Sequence, residues 1–198
     1  MCNLKFKISF ARIAFPLAAL ALVVGHFAPW AQPAAAALTL SAHELAVFTN
    51  YTPNAGVFFN EGYLLPLWAA ALLIAAAANR RALPLAAAVL LVVLSLPGYP
   101  ELRKLMIGQG SEFVLQGVVA AFVLLVCAAL GLLNSDRALR IAAAAAAAAA
   151  LIAAGGFVVV RAAAIEPLFG VPVGLGWGWW CTLAAGMMCG AGAFLPRR

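Results

Sequence analysis

Long apolar runs separated by short basic clusters constrain this chain more than any other feature of its sequence. Apolar residues make up 67% of its 198 residues and charged residues 9%, whereas soluble domains have roughly 45–50% and about 25%. A soluble core cannot bury so much apolar surface, so lipid is the expected solvent. We predict an all-α fold: a polytopic membrane bundle of six transmembrane helices, with short amphipathic interfacial helices on its outer side.

Six segments of the sequence are apolar for long enough, or nearly so, to cross a bilayer as helices. They lie at about 13–30, 63–78, 82–96, 112–133, 139–160 and 174–195. The second and third are short, which predicts a thin local bilayer or helix ends that are shielded by neighbouring segments. Arg161 is expected to end the fifth helix, with Glu166 in the loop that follows. All six belong to a single integral-membrane domain, residues 1–198.

The first segment has a competing interpretation as a cleaved signal peptide. A basic stretch precedes its apolar run, and the small residues from Ala34 to Ala37 match the pattern of a cleavage site. Its apolar run of about 18 residues is longer than the usual core of a signal peptide. We therefore predict a retained anchor helix. Cleavage would leave five helices in the same orientation.

The basic residues are distributed unevenly once six spans are placed. The termini and the turns at 79–81 and 134–140 share one side, which carries nine of them: Lys5, Lys7, Arg12, Arg80, Arg81, Arg137, Arg140, Arg197 and Arg198. The other side carries three, which are Arg103, Lys104 and Arg161. The positive-inside rule then predicts cytoplasmic termini. The alanine- and leucine-rich composition suggests a GC-rich bacterial genome, so the expected location is a bacterial inner membrane. The net charge of +6 is a topology signal, and no nucleic acid partner is expected.

The outer loop at residues 32–62 is the most polar part of the chain and contains no Lys or Arg. Within it, Ser41 and Glu44 match a capping box, in which hydroxyl and carboxylate each satisfy a free amide at a helix start. We predict a short helix from about 42 to 50 that lies along the membrane surface or folds back over the bundle. A second amphipathic helix is expected at 101–107, also on the outer side.

His26 and His43 are the candidate cofactor ligands in the sequence. Imidazole can bind haem iron or the magnesium of a chlorophyll-type pigment, and histidine is uncommon within membrane segments. The two residues have no diagnostic spacing. A structural role, or contact with lipid headgroups, is therefore the alternative for both.

Glu112, Gln116 and Arg161 are the candidate polar residues of a transport site. Glu112 and Gln116 share a helix face at a spacing of four residues, and a carboxylate that enters a membrane can mark an ion or proton path. Arg161 falls on the same side of the membrane and is a possible partner. The alternative is an inter-helix salt bridge or a helix cap without any transport role.

The last segment combines glycines at a spacing of four residues with a group of tryptophans at its start. The glycine rows are Gly170-Gly174-Gly178 and Gly186-Gly190. Such rows let helix backbones approach closely, either within the chain or against a partner subunit. Aromatic belts form at membrane interfaces. The expected outer-interface anchors are Trp30, Trp177, Trp179 and Trp180.

No catalytic motif occurs in the sequence, and no set of residues has the spacing of a metal site. The four cysteines, which also lack such spacing, are expected to be small packing residues. We predict a non-catalytic accessory or structural subunit of a larger bacterial membrane complex, with lipid and other membrane subunits as partners and no cofactor. The alternatives are a small transporter or channel, and a haem- or chlorophyll-binding subunit of an electron-transfer or photosynthetic complex.

Overall fold

A computed structural model of the chain describes residues 2–34, 39–48, 60–78, 81–96, 103, 107, 113–133 and 135–194. It is 84% helical, which confirms the all-α prediction. The helices are α1 (Cys2–Phe27), α2 (Ala42–Phe48), a 3₁₀ helix (Asn60–Leu64), α3 (Leu65–Ala77), α4 (Ala82–Leu94), α5 (Val114–Leu132), α6 (Asp136–Val160), a π-helix (Arg161–Ile165), α7 (Glu166–Phe169) and α8 (Trp177–Phe194). The strands are β1 (Pro29–Pro33), β2 (Leu40–Ser41) and β3 (Val173–Leu175).

Two helical segments of the described chain are long and apolar enough to cross a membrane by length and composition. They are α5 and the continuous helical stretch Asp136–Phe169. Helices α3 and α4 have 13 residues each, which is short for a span. Helix α8 has 18 residues, and its tryptophans and glycines lower its mean hydropathy. Length and composition alone therefore account for two of the six predicted spans.

Four helices close into a ring around the centre of the molecule. Helix α3 packs against α1 and α6, and α8 packs against the same two helices from the other side. Helices α4 and α5 pack against each other and against α3, so they extend the ring on one side. The apolar segments predicted from the sequence thus correspond to the six longest helices of the described residues. Helix α2 contacts α1 and the 3₁₀ helix.

Small side chains line one part of the ring and let its helices approach closely. The buried alanines of this cluster are Ala18, Ala19, Ala69, Ala70, Ala143, Ala146, Ala147, Ala150 and Ala185. Gly186 faces Ala150, where an added Cβ would lie 2.9 Å from the alanine methyl group. Gly190 faces Ala147 with more room, at 3.7 Å. This glycine row therefore packs within the chain, on the alanine run of α6.

The other predicted glycine row does not form a helix face. Gly170 ends α7 with a positive φ of 64°, a conformation that glycine adopts without steric cost. Gly174 lies in strand β3, and only Gly178 is in α8. Four-residue spacing brings residues together only along a continuous helix, so this row is not the contact surface that the sequence predicted. Gly178 packs instead against the backbone of Ala28.

The fifth helix does not end at Arg161, as the sequence predicted. The chain continues through the π-helix into α7, which places Glu166 in a helix. The Arg161 Nε atom lies 3.4 Å from Glu166 Oε1 across the π-helical turn. Glu166 also accepts a hydrogen bond from the Val173 amide, at 3.2 Å. The charged residues that were predicted to mark the helix end therefore form an ion pair on its surface. Through its bond to the Val173 amide, Glu166 also connects the end of the helix to the start of β3.

A three-stranded sheet occupies part of the region that was predicted to be loop. Strand β1 lies in the centre and pairs antiparallel with β2 on one side and with β3 on the other. Its prolines, Pro29 and Pro33, stand at its two ends, where a missing amide donor is tolerated. The sheet joins the end of α1 to the residues that lead into α8, which are far apart in sequence.

The capping box that was predicted at the start of α2 is present. The Ser41 amide and hydroxyl both donate to Glu44 Oε2, at 2.7 and 2.8 Å, and the Glu44 amide donates to Ser41 Oγ at 3.2 Å. Leu45 is fully buried, so α2 folds back over the bundle, one of its two predicted placements. Most of the amphipathic helix predicted at 101–107 lies outside the described residues.

Candidate histidine site

The two histidines of the chain come together at one end of the bundle. His26 lies in the last turn of α1, and His43 lies in the first turn of α2. Their ring centroids are 5.6 Å apart, with an angle of 76° between the ring planes. Phe27 completes the contact, at 4.8 Å from the His26 ring and 5.6 Å from the His43 ring. The reversal of the chain between β1 and β2 produces this pairing.

Several imidazole nitrogens of this pair are buried without a hydrogen-bond partner in the described part of the chain. His26 has no exposed surface, and neither its Nδ1 nor its Nε2 atom is bonded. The Tyr63 backbone approaches the His26 ring, but the geometry falls short of a hydrogen bond. The Nδ1 atom of His43 is also buried and unbonded. A buried polar group left in this state costs about 1–3 kcal/mol, which a bound ligand would offset.

A group of fully buried aromatic residues adjoins the pair. Trp30 contacts Phe157 and Tyr63 edge to face, with centroid distances of 5.5 and 6.3 Å. The Trp30 indole donates a hydrogen bond of 2.7 Å to the Gly25 carbonyl oxygen, in the last turn of α1. This bond holds strand β1 against the helix turn that carries His26. The aromatic residues therefore position His26 and surround its end of α1 with apolar surface.

The four tryptophans predicted as interface anchors divide into two groups. Trp177 and Trp180 are more than half exposed, as an anchor requires, whereas Trp30 and Trp179 are buried. The Trp179 indole donates a 2.9 Å hydrogen bond to the Ala154 carbonyl oxygen of α6. Trp30 and Trp179 therefore differ from the prediction, because their indole groups find buried protein acceptors: Trp30 in the last turn of α1, and Trp179 on the neighbouring helix α6.

The predicted transport residues do not gather in the described part of the chain. Gln116 donates a short hydrogen bond to the backbone carbonyl of Ser95, at the end of α4. Arg161 is paired with Glu166. Glu112 lies outside the described residues. Both described members therefore have local structural partners of the kind that the alternative interpretation expects.

Ser95 connects three helices through hydrogen bonds. Its hydroxyl accepts from the Trp68 indole of α3 at 2.7 Å and donates to the Val92 carbonyl oxygen at 2.6 Å. Its backbone carbonyl accepts from Gln116 of α5. The hydroxyl and the indole are both buried, so this network fixes α4 and α5 against the ring.

Replacing the Ser95 hydroxyl is expected to destabilise the bundle. Ser95→Ala leaves the Trp68 indole donor unpaired in an apolar environment, which costs about 1–3 kcal/mol. The measurement is equilibrium unfolding in detergent micelles. The same substitution in a Trp68→Phe background is the control, because that background has no indole donor to strand. Equal losses in the two backgrounds would contradict the expected coupling.

The aromatic members of the site, Phe27, Tyr63 and Phe157, were not predicted from the sequence. Phe27 directly follows His26 and could have been found by that adjacency, whereas no local pattern links Tyr63 and Phe157 to the histidines. Within the described residues, no group of three or more His, Cys, Asp or Glu comes together, so the histidine pair is a two-ligand arrangement.

In comparisons with known proteins, no family model, curated protein or solved structure matches the chain.

Proposed function

We propose that this chain is an integral protein of a bacterial inner membrane, with six spans and cytoplasmic termini. In this proposal it is a non-catalytic structural or accessory subunit of a larger membrane complex. The single observation that supports it best is the apolar outer surface of α4 and α5. Large apolar side chains are exposed along both helices, among them Leu83 (83% exposed), Phe122 (64%), Leu125 (70%) and Leu132 (66%).

The exposed surface of α4 and α5 has the chemistry of a lipid or subunit contact. Neither helix contains a charged residue. Helix α4 buries only Ala88 and Val92, so most of its side chains face outward. Soluble monomers rarely expose continuous apolar patches larger than a few hundred Å². Water is therefore an unfavourable neighbour for these two helices, and lipid or a second membrane protein is a favourable one.

The six proposed spans are α1, α3, α4, α5, α6 and α8. Two of them are short: at 1.5 Å per residue, the 13 residues of α3 extend about 20 Å, and a bilayer core is about 30 Å thick. The 3₁₀ helix continues directly into α3 and lengthens it at one end. At the same end, α2 packs on the 3₁₀ helix and covers it. These additions support a span that a thinner local bilayer would complete.

The partner-facing surface in this proposal is the α4 and α5 side, because these helices are held to the ring through α3. Residues of α1, α6 and α8 that face outward, such as Leu20, Ile152 and Met187, then face lipid.

Photo-crosslinking in native membranes tests the subunit role, and carbonate extraction and terminal reporters test the membrane insertion and the orientation. A photoreactive amino acid at Phe122 of α5 is expected to form a discrete adduct with another membrane protein. The matched control is the same amino acid at Met187 of α8, similarly exposed, which is expected to label lipid. Carbonate should fail to extract the protein, and reporters fused to either terminus should be active in the cytoplasm.

Three results would overturn the proposal. Extraction by carbonate would remove the membrane assignment, and a periplasmic reporter at either terminus would remove the orientation. A protein that purifies alone in mild detergent as a stable monomer, with lipid adducts only at both positions, would remove the role as a subunit.

A further inference from the structure

We propose that His26 and His43 bind one copper(I) ion between their rings. The observation behind this is that both nitrogens of His26 and the Nδ1 atom of the half-buried His43 are buried without a hydrogen bond, while the two ring centroids lie 5.6 Å apart. In the sequence, each histidine is a separate candidate ligand of haem or chlorophyll. A shared ion is a different site, and it does not depend on whether the chain is a subunit of a larger complex.

The spacing of the rings suits a single ion. Two imidazoles that bind one ion, each through a nitrogen about 2.0 Å away, have ring centroids roughly 5 Å apart when the nitrogen–ion–nitrogen angle is tetrahedral and about 6 Å apart when it is linear. The observed separation of 5.6 Å lies between these values, so a small shift of either ring gives the linear arrangement of two-coordinate copper(I). Rotation of either ring about its Cβ–Cγ bond changes which nitrogen faces the other ring and leaves the helices in place. Both histidines sit at element ends that the Trp30 hydrogen bond and the Ser41 capping box hold in position.

The ligand set selects among the metals that imidazole binds, which include zinc, copper, iron and nickel. Zinc sites are nearly always four-coordinate. In the described part of the chain, no third His, Cys, Asp or Glu joins the pair, so zinc would need water as ligands beside apolar walls. Copper(I) is stable with two neutral nitrogen ligands and introduces one positive charge instead of two. The site therefore suits copper(I) better than divalent ions.

The surroundings of the pair also favour an ion over a flat prosthetic group. The His26 and His43 rings are in edge contact, and Phe27 packs on both. A porphyrin that used both histidines as axial ligands would lie between the rings and would have to separate them. A single ion fits between two imidazoles without that displacement.

The test is a copper(I) titration of the purified full chain in detergent, kept anaerobic and reduced. Competition with a coloured copper(I) chelator is expected to give one bound ion per chain, and X-ray absorption should show two nitrogen neighbours in a linear, two-coordinate arrangement. His43→Ala and His43→Gln should each weaken binding by more than about 100-fold, because they remove a direct ligand. His26→Phe, which keeps an aromatic ring, should do the same.

Val47→Ala is the matched control, because Val47 lies on the same helix as His43 and is 48% exposed. Its copper affinity should be unchanged, since the change removes no nitrogen ligand and leaves the Ser41 capping box intact. Thermal unfolding of the metal-free variants establishes whether each of them folds. If His26→Phe does not fold, the two His43 variants alone test the copper site. The proposal is overturned by a lack of stoichiometric copper binding or by unchanged affinity in the His43 variants. Tighter binding of zinc, or a haem absorption band in protein from native membranes, would also overturn it.

Discussion

Phe157→Ala is expected to lower the free energy of unfolding by about 3–5 kcal/mol, the usual cost of removing a buried aromatic ring. Phe157 has no exposed surface, and its ring contacts Trp30 and Tyr63 at centroid distances of 5.5 and 6.4 Å. The substitution would leave a cavity where β1, the 3₁₀ helix and α6 meet. The measurement is equilibrium unfolding of the purified protein in detergent.

Phe122→Ala is the matched control for this experiment, because it removes the same side chain from an outward-facing site. Phe122 is 64% exposed on α5, so its loss is expected to change the free energy of unfolding by less than about 1 kcal/mol. Because both substitutions are Phe→Ala, the difference between their free energies of unfolding measures the effect of burial alone. Equal losses at the two positions would show that the aromatic cluster does not contribute more to stability than the outer surface.

Gly178→Ala is expected to destabilise the contact between α1 and α8 by about 1–3 kcal/mol. An alanine Cβ at this position would lie 2.6 Å from the carbonyl oxygen of Ala28. That oxygen belongs to the backbone, so it cannot move aside as the end of a flexible side chain can. Gly25 lies on the opposite surface, where an added Cβ would be 2.9 Å from the Gly178 carbonyl oxygen.

The control for Gly178→Ala is Gly190→Ala, in the same helix. Its Cβ would meet Ala147 at 3.7 Å, an ordinary van der Waals distance. Since alanine is favoured over glycine in a helix by about 0.5–1 kcal/mol, this variant should be as stable as the parent or slightly more stable. Thermal unfolding of the two variants in one detergent is the measurement. A Gly178→Ala protein as stable as Gly190→Ala would mean that the backbones do not approach so closely.

The helices of this fold could be predicted from the sequence because their signals are local. Each apolar run became a helix, and the pattern of Ser41 and Glu44 gave the correct start of α2. The Gly186 side of α8 packs against the alanine run of α6, because small side chains at helical spacing on both helices allow a close approach. The number of membrane spans remains a prediction, and two of the helical segments meet the length and hydropathy of a span.

The remaining features depend on residues that lie far apart in the chain. Nothing near Trp30 in the sequence indicates that its neighbours are Tyr63 and Phe157, or that β1 pairs with a strand at 173–175. The Trp179 indole likewise finds its acceptor 25 residues away, at Ala154 on α6. The π-helix was missed because Arg161 resembles a charged helix end until its pairing with Glu166 is known.

The pairing of β1 with β3 sets an order of events during synthesis of the chain. Strand β1 follows the first long helix, but its partner at residues 173–175 is made only after five of the six long helices. Contacts between such distant residues form late, because a long loop must close first. The ring of α1, α3, α6 and α8 likewise stays open until α8 arrives. A nascent chain therefore holds an unfilled gap beside α1 until α8, the last of these four helices to leave the ribosome, closes the ring.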